Sequence, residues 1–188
     1  MIDEDEIINL AKPQILRCRP GDWNHAKRVV KWVKILGEER DDLYLLVTAG
    51  YIHDIGWQDL VDPNKKLSKE KLKSLQKRAG ERTEKLTTPL LQQLRIGKND
   101  IFKILRLVRA TESYTAKQDD EEILVDADNL SKTEIDHFQD KYLKSEWLTV
   151  YDWFAEVLPD RIKTKRGKEL FEPRLEQLKV KLKHLLSE

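Results

Sequence analysis

The sequence predicts an all-α protein, and three observations carry that expectation. Leucine, isoleucine and valine recur at spacings of three and four nearly from end to end, the period of helices with one apolar face. Only seven glycines and six prolines punctuate 188 residues. No βαβ alternation, internal repeat or low-complexity tract interrupts the pattern. No domain boundary is visible, so residues 1–188 read as one domain, long enough to bury a core without cross-links.

The elements follow in order. A first helix is expected from about Asp3 to Lys12, stopping before Pro13, because the residue preceding a proline is pushed out of the helical region. The Arg19-Pro20-Gly21 break follows, and Asp22 has the side chain of an N-cap. From Trp23 to Glu38 the residues Ala26, Val29, Val30, Val33 and Leu36 form one stripe. Asp41 or Asp42 then caps a strongly apolar helix, Leu43 to about Ile55, expected to be the buried centre. Gly56 and Val61-Asp62-Pro63-Asn64 mark its exit. A long charged helix starts near Ser68, with a bend expected at Pro89. Asn99-Asp100 opens another, with Ile101, Ile104, Leu105 and Val108 inward, and the polar Thr115–Asp120 stretch reads as a loop. Helices over Glu121–Leu130, Ser131–Tyr142 and Ser145–Leu158 complete the pattern before Pro159 and Gly167 bracket a basic connection to the last helix.

Composition narrows the function. The 35 basic and 34 acidic side chains nearly cancel, whereas a protein living on nucleic acid or an anionic membrane carries a clear positive excess. No apolar run approaches the ~18 residues of a membrane span, and the acidic Met-Ile-Asp-Glu-Asp-Glu start lacks the pattern of a signal peptide. Cys18 is the one cysteine, which excludes an internal disulfide and a Cys-based zinc knuckle. These features point to a cytoplasmic protein with no membrane partner.

Three spots place polar groups where apolar ones are expected. His25 lies on or beside the stripe shared with Trp32 and Leu36, at i+7 and i+11. His53-Asp54 sits in the otherwise apolar Ala-Gly-Tyr-Ile-His-Asp-Ile-Gly segment, and a buried carboxylate is costly unless paired or coordinated. Asp126 and Asp128 interrupt Ile123–Leu130; two residues apart on a helix they point about 200° from each other. Both therefore cannot face the same core, and either could serve it. Each spot alone is weak, since a single helix-face histidine is more often a hydrogen-bonded core residue. Together two imidazoles and two carboxylates make a donor set suited to manganese, iron, cobalt, nickel or zinc.

The ordered set His25, His53-Asp54 and Asp128 within Ala-Asp-Asn-Leu resembles the HD-domain superfamily of metal-dependent phosphohydrolases. Asp22-Trp23-Asn24-His25-Ala26-Lys27-Arg28-Val29 is similar to the first-histidine helix of small members, Ala49–Gly56 to the segment that names the family, and Val125–Leu130 to its last aspartate helix. The resemblance covers about residues 22–130, leaving 131–188 as a helical C-terminal extension. It implies a helical bundle projecting His25, His53, Asp54 and Asp128 onto one divalent metal ion, with Asp126 as the alternative last ligand. Asp54 would touch the metal and also orient the attacking water.

The activity so implied is hydrolysis of a small phosphorylated compound, a nucleotide among the options. Lys77, Arg78 and Arg82, with Arg106 and Arg109, are the candidate phosphate contacts. The sequence also departs from the family: many members carry histidines between the His-Asp pair and the last aspartate, and none occurs here between Asp54 and Asp126. That departure speaks against a dinuclear centre and sets up the alternative, a non-catalytic HD-like module that binds metal and ligand for regulation. Beyond residue 130, the basic Arg161–Lys168 run reads as a solvated loop. Trp147, Tyr151, Trp153 and Phe154 read as core or pocket wall. The leucine-rich last helix is expected to pack on its own domain, with homodimerisation through it as the other option.

Overall fold

The computed structural model describes residues 3–187. Among them are nine α-helices and no strand: α1 Glu4–Ile15, α2 Asp22–Leu36, α3 Leu43–Ile52, α4 Lys69–Gln93, α5 Lys98–Ser113, α6 Asp119–Ser131, α7 Ile135–Lys141, α8 Trp147–Val157 and α9 Lys165–Ser187. The all-α expectation holds. No described helix is long and apolar enough to cross a membrane.

The central helix is α3. All its residues from Leu45 to Ile52 are buried, as an element apolar on every side must be. It packs against α1, α2 and α5, while α2 and α6 lie along each other and α4 crosses the turn after α3. A continuous cluster of buried side chains runs from Ile7 in α1 to Leu182 in α9.

Local details depart from sequence expectation for physical reasons. Helix α1 continues through Pro13 because Ile7, Ala11 and Ile15, each four residues on, form a fully buried row that carries its last turn. Asp22 is the first helical residue rather than the cap. Gly21 occupies the cap position at φ 70°, where a β-carbon would stand 2.3 Å from Cβ of Asp140. Asp42 takes the expected cap position of α3, but its carboxylate pairs with Arg40 instead of the helix amides. Ser68 does cap α4, accepting from the amide of Lys71, and α4 runs on through Pro89. The central helix ends at Ile52, three residues early, and a 3₁₀ turn over Ile55–Trp57 follows. His53 and Asp54 thus stand at the junction between the two.

The C-terminal third is welded to the core by one buried carboxylate. Asp126, fully buried on α6, accepts hydrogen bonds from the amides of Lys163 (2.6 Å) and Thr164 (2.9 Å) and from Thr164 Oγ1 (2.7 Å). Half of the basic run expected to be a solvated loop is therefore fixed backbone, and Lys165 already begins α9. Phe171, Leu178 and Leu182 of α9 are buried within the same chain, so this helix's apolar stripe is used in intramolecular packing. A β-carbon on Gly167 would stand 2.2 Å from Asp126 Oδ2. Because three donors hold that oxygen pair, Gly167→Ala should cost about 1–3 kcal/mol through overpacking. Thermal unfolding should show a drop of several degrees in Tm, and an unchanged Tm would mean that the joint is soft.

Candidate metal centre and its cavity

The chain breaks that bound α2 and α3 bring the histidines together. His25 projects from the first turn of α2, and His53 from the C-terminal end of α3. Their Nε2 atoms stand 3.1 Å apart, with both rings buried. Asp54 Oδ2 lies 3.6 Å from His25 Nε2 and 3.5 Å from His53 Nε2. Asp128 Oδ1, from α6, lies 3.2 and 3.8 Å from the same two nitrogens.

The ring tautomers follow from the other nitrogens. His53 Nδ1 stands 2.8 Å from the carbonyl of Gly50, which can only accept, so the proton is on Nδ1. Ser131 Oγ gives its own proton to the carbonyl of Asp128 at 2.7 Å, so it accepts from His25 Nδ1 at 3.0 Å. Both Nε2 atoms therefore face the same point, and each offers a lone pair there when it carries no proton. Burial, then Lys141 and His53, pushes the His25 pKa well below its ordinary value and keeps that ring neutral. Two facing lone pairs and two carboxylates are mutually repulsive unless a cation stands among them. Neighbouring ligands of an ion with bonds of about 2.1 Å lie about 3.0–3.4 Å apart, close to the spacings observed. The His25, His53 and Asp54 ligand atoms lie within 4.8 Å of one another, a group able to hold a metal ion, and Asp128 borders it.

Cations hold both carboxylates, on the same Asp54 oxygen that faces the imidazoles and on the opposite oxygen of Asp128. The Arg19 guanidinium bonds Asp54 Oδ2, lies 4.3 Å over the Trp57 ring and donates through Nε to Asp22 at 3.0 Å. Lys141, from α7, bonds Asp22 and stands 3.9 Å from Asp54. Burial would raise the Asp54 pKa, but Arg19, His53 and Lys141 outweigh it and hold the carboxyl far below the usual range. Asp128 is likewise lowered despite burial, because Lys132 Nζ lies 2.7 Å from its Oδ2. Each carboxylate thus gives one oxygen to the imidazoles while a cation holds it ionised.

These groups line a cavity of about 340 Å³, within the range of small-molecule sites. Its far wall comes from α4, α5 and the C-terminal extension: Lys69, Lys73, Glu112, Tyr114, Trp153 and Arg161. Glu112 is held by the hydroxyl of Thr83; burial and the charge of Asp54 raise its pKa despite that bond. His137, from α7, lines the cavity with its ring 5.2 Å from that of His25, and its buried Nδ1 has no hydrogen-bond partner.

The sequence-derived candidates divide cleanly. His25, His53, Asp54 and Asp128 converge, whereas Asp126 points to the α9 joint, as the 200° separation on one helix requires. The five proposed phosphate contacts line none of this cavity. Lys77 and Arg78 are exposed. Arg82 donates to the carbonyl of Gly56, Arg106 is tied to Asp120 and Glu121, and Arg109 pairs with Glu84. The cations that do line it are Arg19, Lys69, Lys73, Lys132, Lys141 and Arg161. Sequence reasoning passed over Arg19 as part of a chain break, and over His137 and Lys141 as parts of the extension. The one signal for His137 was its place beside Phe138, an apolar neighbour on a short helix.

Comparison of the chain with known protein families, curated proteins and solved structures finds no match. The reading of this site therefore rests on its own geometry.

Elemental analysis of purified protein should find about one equivalent of a divalent transition metal, absent from a folded His53→Ala variant. Ser131→Ala, which frees the His25 ring, should weaken metal affinity about 10-fold. Asp126→Asn should lose stability but keep the metal. A metal-free wild type that takes up none on titration would refute the site.

Proposed function

We propose that the chain is a metal-dependent phosphohydrolase of HD type, cleaving a small phosphorylated compound. The observation that carries this reading is the pair of buried imidazoles whose Nε2 atoms meet at 3.1 Å between two ionised carboxylates. That cluster opens into a cavity with six cationic side chains in its wall. His25, His53, Asp54 and Asp128 would hold the ion. A dication there supplies Lewis-acid polarisation of a phosphoryl oxygen and lowers the pKa of water toward neutrality.

The chain's own groups supply the rest in this reading. Arg19 and Lys141 flank Asp54 and stabilise charge that grows on the phosphoryl oxygens. Asp54 stays ionised and serves as ligand and as orienter of the attacking water. It is too acidic to be a good proton carrier. Glu112 is better matched to that task. Its carboxyl lines the cavity and is raised toward neutrality by burial and by Asp54, the environment of a proton donor to a leaving oxygen. It stands in the stretch between Asp54 and Asp126 that lacks histidine.

Two observations favour a second reading. The contact between Arg19 and Asp54 and the lack of histidine between Asp54 and Asp126 also suit an HD-like module that binds metal and ligand without turnover. Phosphate release separates the two.

Metal-loaded protein should release phosphate from a panel of phosphorylated metabolites, and folded Asp54→Ala should fall to background. Full activity in that variant would refute the hydrolase reading, and ligand binding without any turnover would support the regulatory one. Glu112→Gln should lower kcat about 10²-fold. A proton donor acts only while protonated, so wild-type activity should fall as pH rises through the raised Glu112 pKa. That falling limb should vanish in the variant, and its survival would remove Glu112 from the role.

A further inference from the structure

The cations of the cavity fall into two groups. Near the metal centre, Arg19, Lys141 and Lys132 each have a carboxylate partner: Asp54 and Asp22 for Arg19, Asp22 for Lys141, and Asp128 for Lys132. At the far end, Lys69, Lys73 and Arg161 have no carboxylate within ion-pair distance among the described residues. They gather instead around one indole. Lys69 Nζ lies 4.8 Å, Lys73 Nζ 5.2 Å and the Arg161 guanidinium 6.0 Å from the Trp153 ring. Arg161 also stacks 3.6 Å over Tyr114.

A chain of contacts sets the two ends apart in order. Asp128 holds Lys132, Lys132 lies 5.0 Å over Tyr114, and Tyr114 carries Arg161, which faces Trp153. Lys132 and Tyr114 thus link the two groups, and none of the far cations lies within ion-pair distance of Asp54 or Asp128. Its backbone is fixed: Asp126 pins Lys163 and Thr164, two and three residues after Arg161. Three cations gathered around one ring repel one another, and ring quadrupoles offset only part of that cost. An anion among them offsets the rest. A phosphate dianion suits the set, because a guanidinium fork matches its oxygens and two ammonium groups complete the charge. A nucleic-acid backbone is the wrong shape for a cavity of about 340 Å³, which takes a small molecule.

We propose that Lys69, Lys73 and Arg161, around Trp153 and Tyr114, form a second phosphate subsite. The natural ligand is then a small organic compound bearing two phosphate groups, one at the metal centre and one at this far end. The proposal rests on the reading of the cavity as a site for a phosphorylated compound, and it specifies that compound's class.

The test is calorimetric titration of the full chain with inorganic phosphate, first after chelation and then with metal restored. The chelated protein should bind one equivalent and change its tryptophan fluorescence. Lys69→Ala/Lys73→Ala, which alters only the partly exposed start of α4, and Arg161→Gln should each weaken that binding at least tenfold. Absence of binding to the chelated protein, or undiminished binding in both variants, overturns the subsite. Restored metal should add a second equivalent; if it does not, the metal-end reading fails while the far subsite stands. Fructose 1,6-bisphosphate should displace both equivalents where fructose 6-phosphate displaces one, and displacement of a single equivalent by both sugars overturns the two-phosphate assignment.

Discussion

Two imidazole lone pairs aimed at one point, 3.1 Å apart in a buried site, are the constraint around which the rest of this molecule is arranged. Left to themselves such groups would turn away from each other or take up a proton. Rotation is closed to both rings, and protonation is opposed at His25. The Gly50 carbonyl and the Ser131 hydroxyl fix both rings through their Nδ1 protons, and burial beside Lys141 opposes protonation of His25. The two carboxylates add negative charge to the same volume, and each needs a cation beside it to stay ionised in a buried place. Arg19 and Lys132 meet that need, and Asp22 in turn holds Arg19 and Lys141 in place. Removing any member leaves a buried charge without its partner, which is why the site and the packing of α2, α6 and α7 cannot be separated.

The same dependence explains the C-terminal extension. Residues 131–188 are no appendage to a self-sufficient core, since Lys141, His137, Trp153 and Arg161 form part of the cavity wall. Two close approaches make this possible. Gly21 lets Asp140 and α7 come against the start of α2, and Gly167 lets α9 come against Asp126. Both glycines stand where a methyl group would overlap a side chain of the neighbouring helix. At the other wall, Gly56 admits the backbone of α4 at Ala79, where a β-carbon would stand 2.3 Å from the carbonyl oxygen. The cavity is bounded by helices that approach at positions without a side chain.

What could be read from the sequence follows from what periodicity encodes. An apolar stripe reports which way a helix faces its core, so a histidine or aspartate on that stripe is visible as an exception. His25, His53 and Asp54 were legible for that reason, and the 200° rule showed that Asp126 and Asp128 must serve different neighbours without saying which. The cations were not legible. Arg106 and Arg109 sit near Asp120 and Glu84 only after folding, and those pairings take both away from the cavity. Arg19 looked like part of a chain break, yet the break is what swings its guanidinium over Trp57 and onto Asp54. Asp22 looked like a cap because local sequence predicts local bonds. Its partner Lys141 is 119 residues away, a distance over which no local pattern operates.

The stretch without histidine between Asp54 and Asp126 can now be weighed against what occupies it. In the proposed HD-type reading, further histidines there would bind a second metal or the substrate phosphate. Here the corresponding wall carries Glu112 bound by Thr83, with Lys69 and Lys73 beyond it. In the proposed reading a carboxyl of raised pKa moves a proton and ammonium groups bind phosphate, two tasks carried by different side chains. Among the described residues, His25, His53 and Asp54 form the one group placed to hold a metal ion. In the proposed reading, substrate recognition depends on charge placed away from the reacting phosphorus. Such recognition favours compounds with a second anionic group over simple monoesters, since binding energy collected at a remote group can be used to hold the reacting one in place.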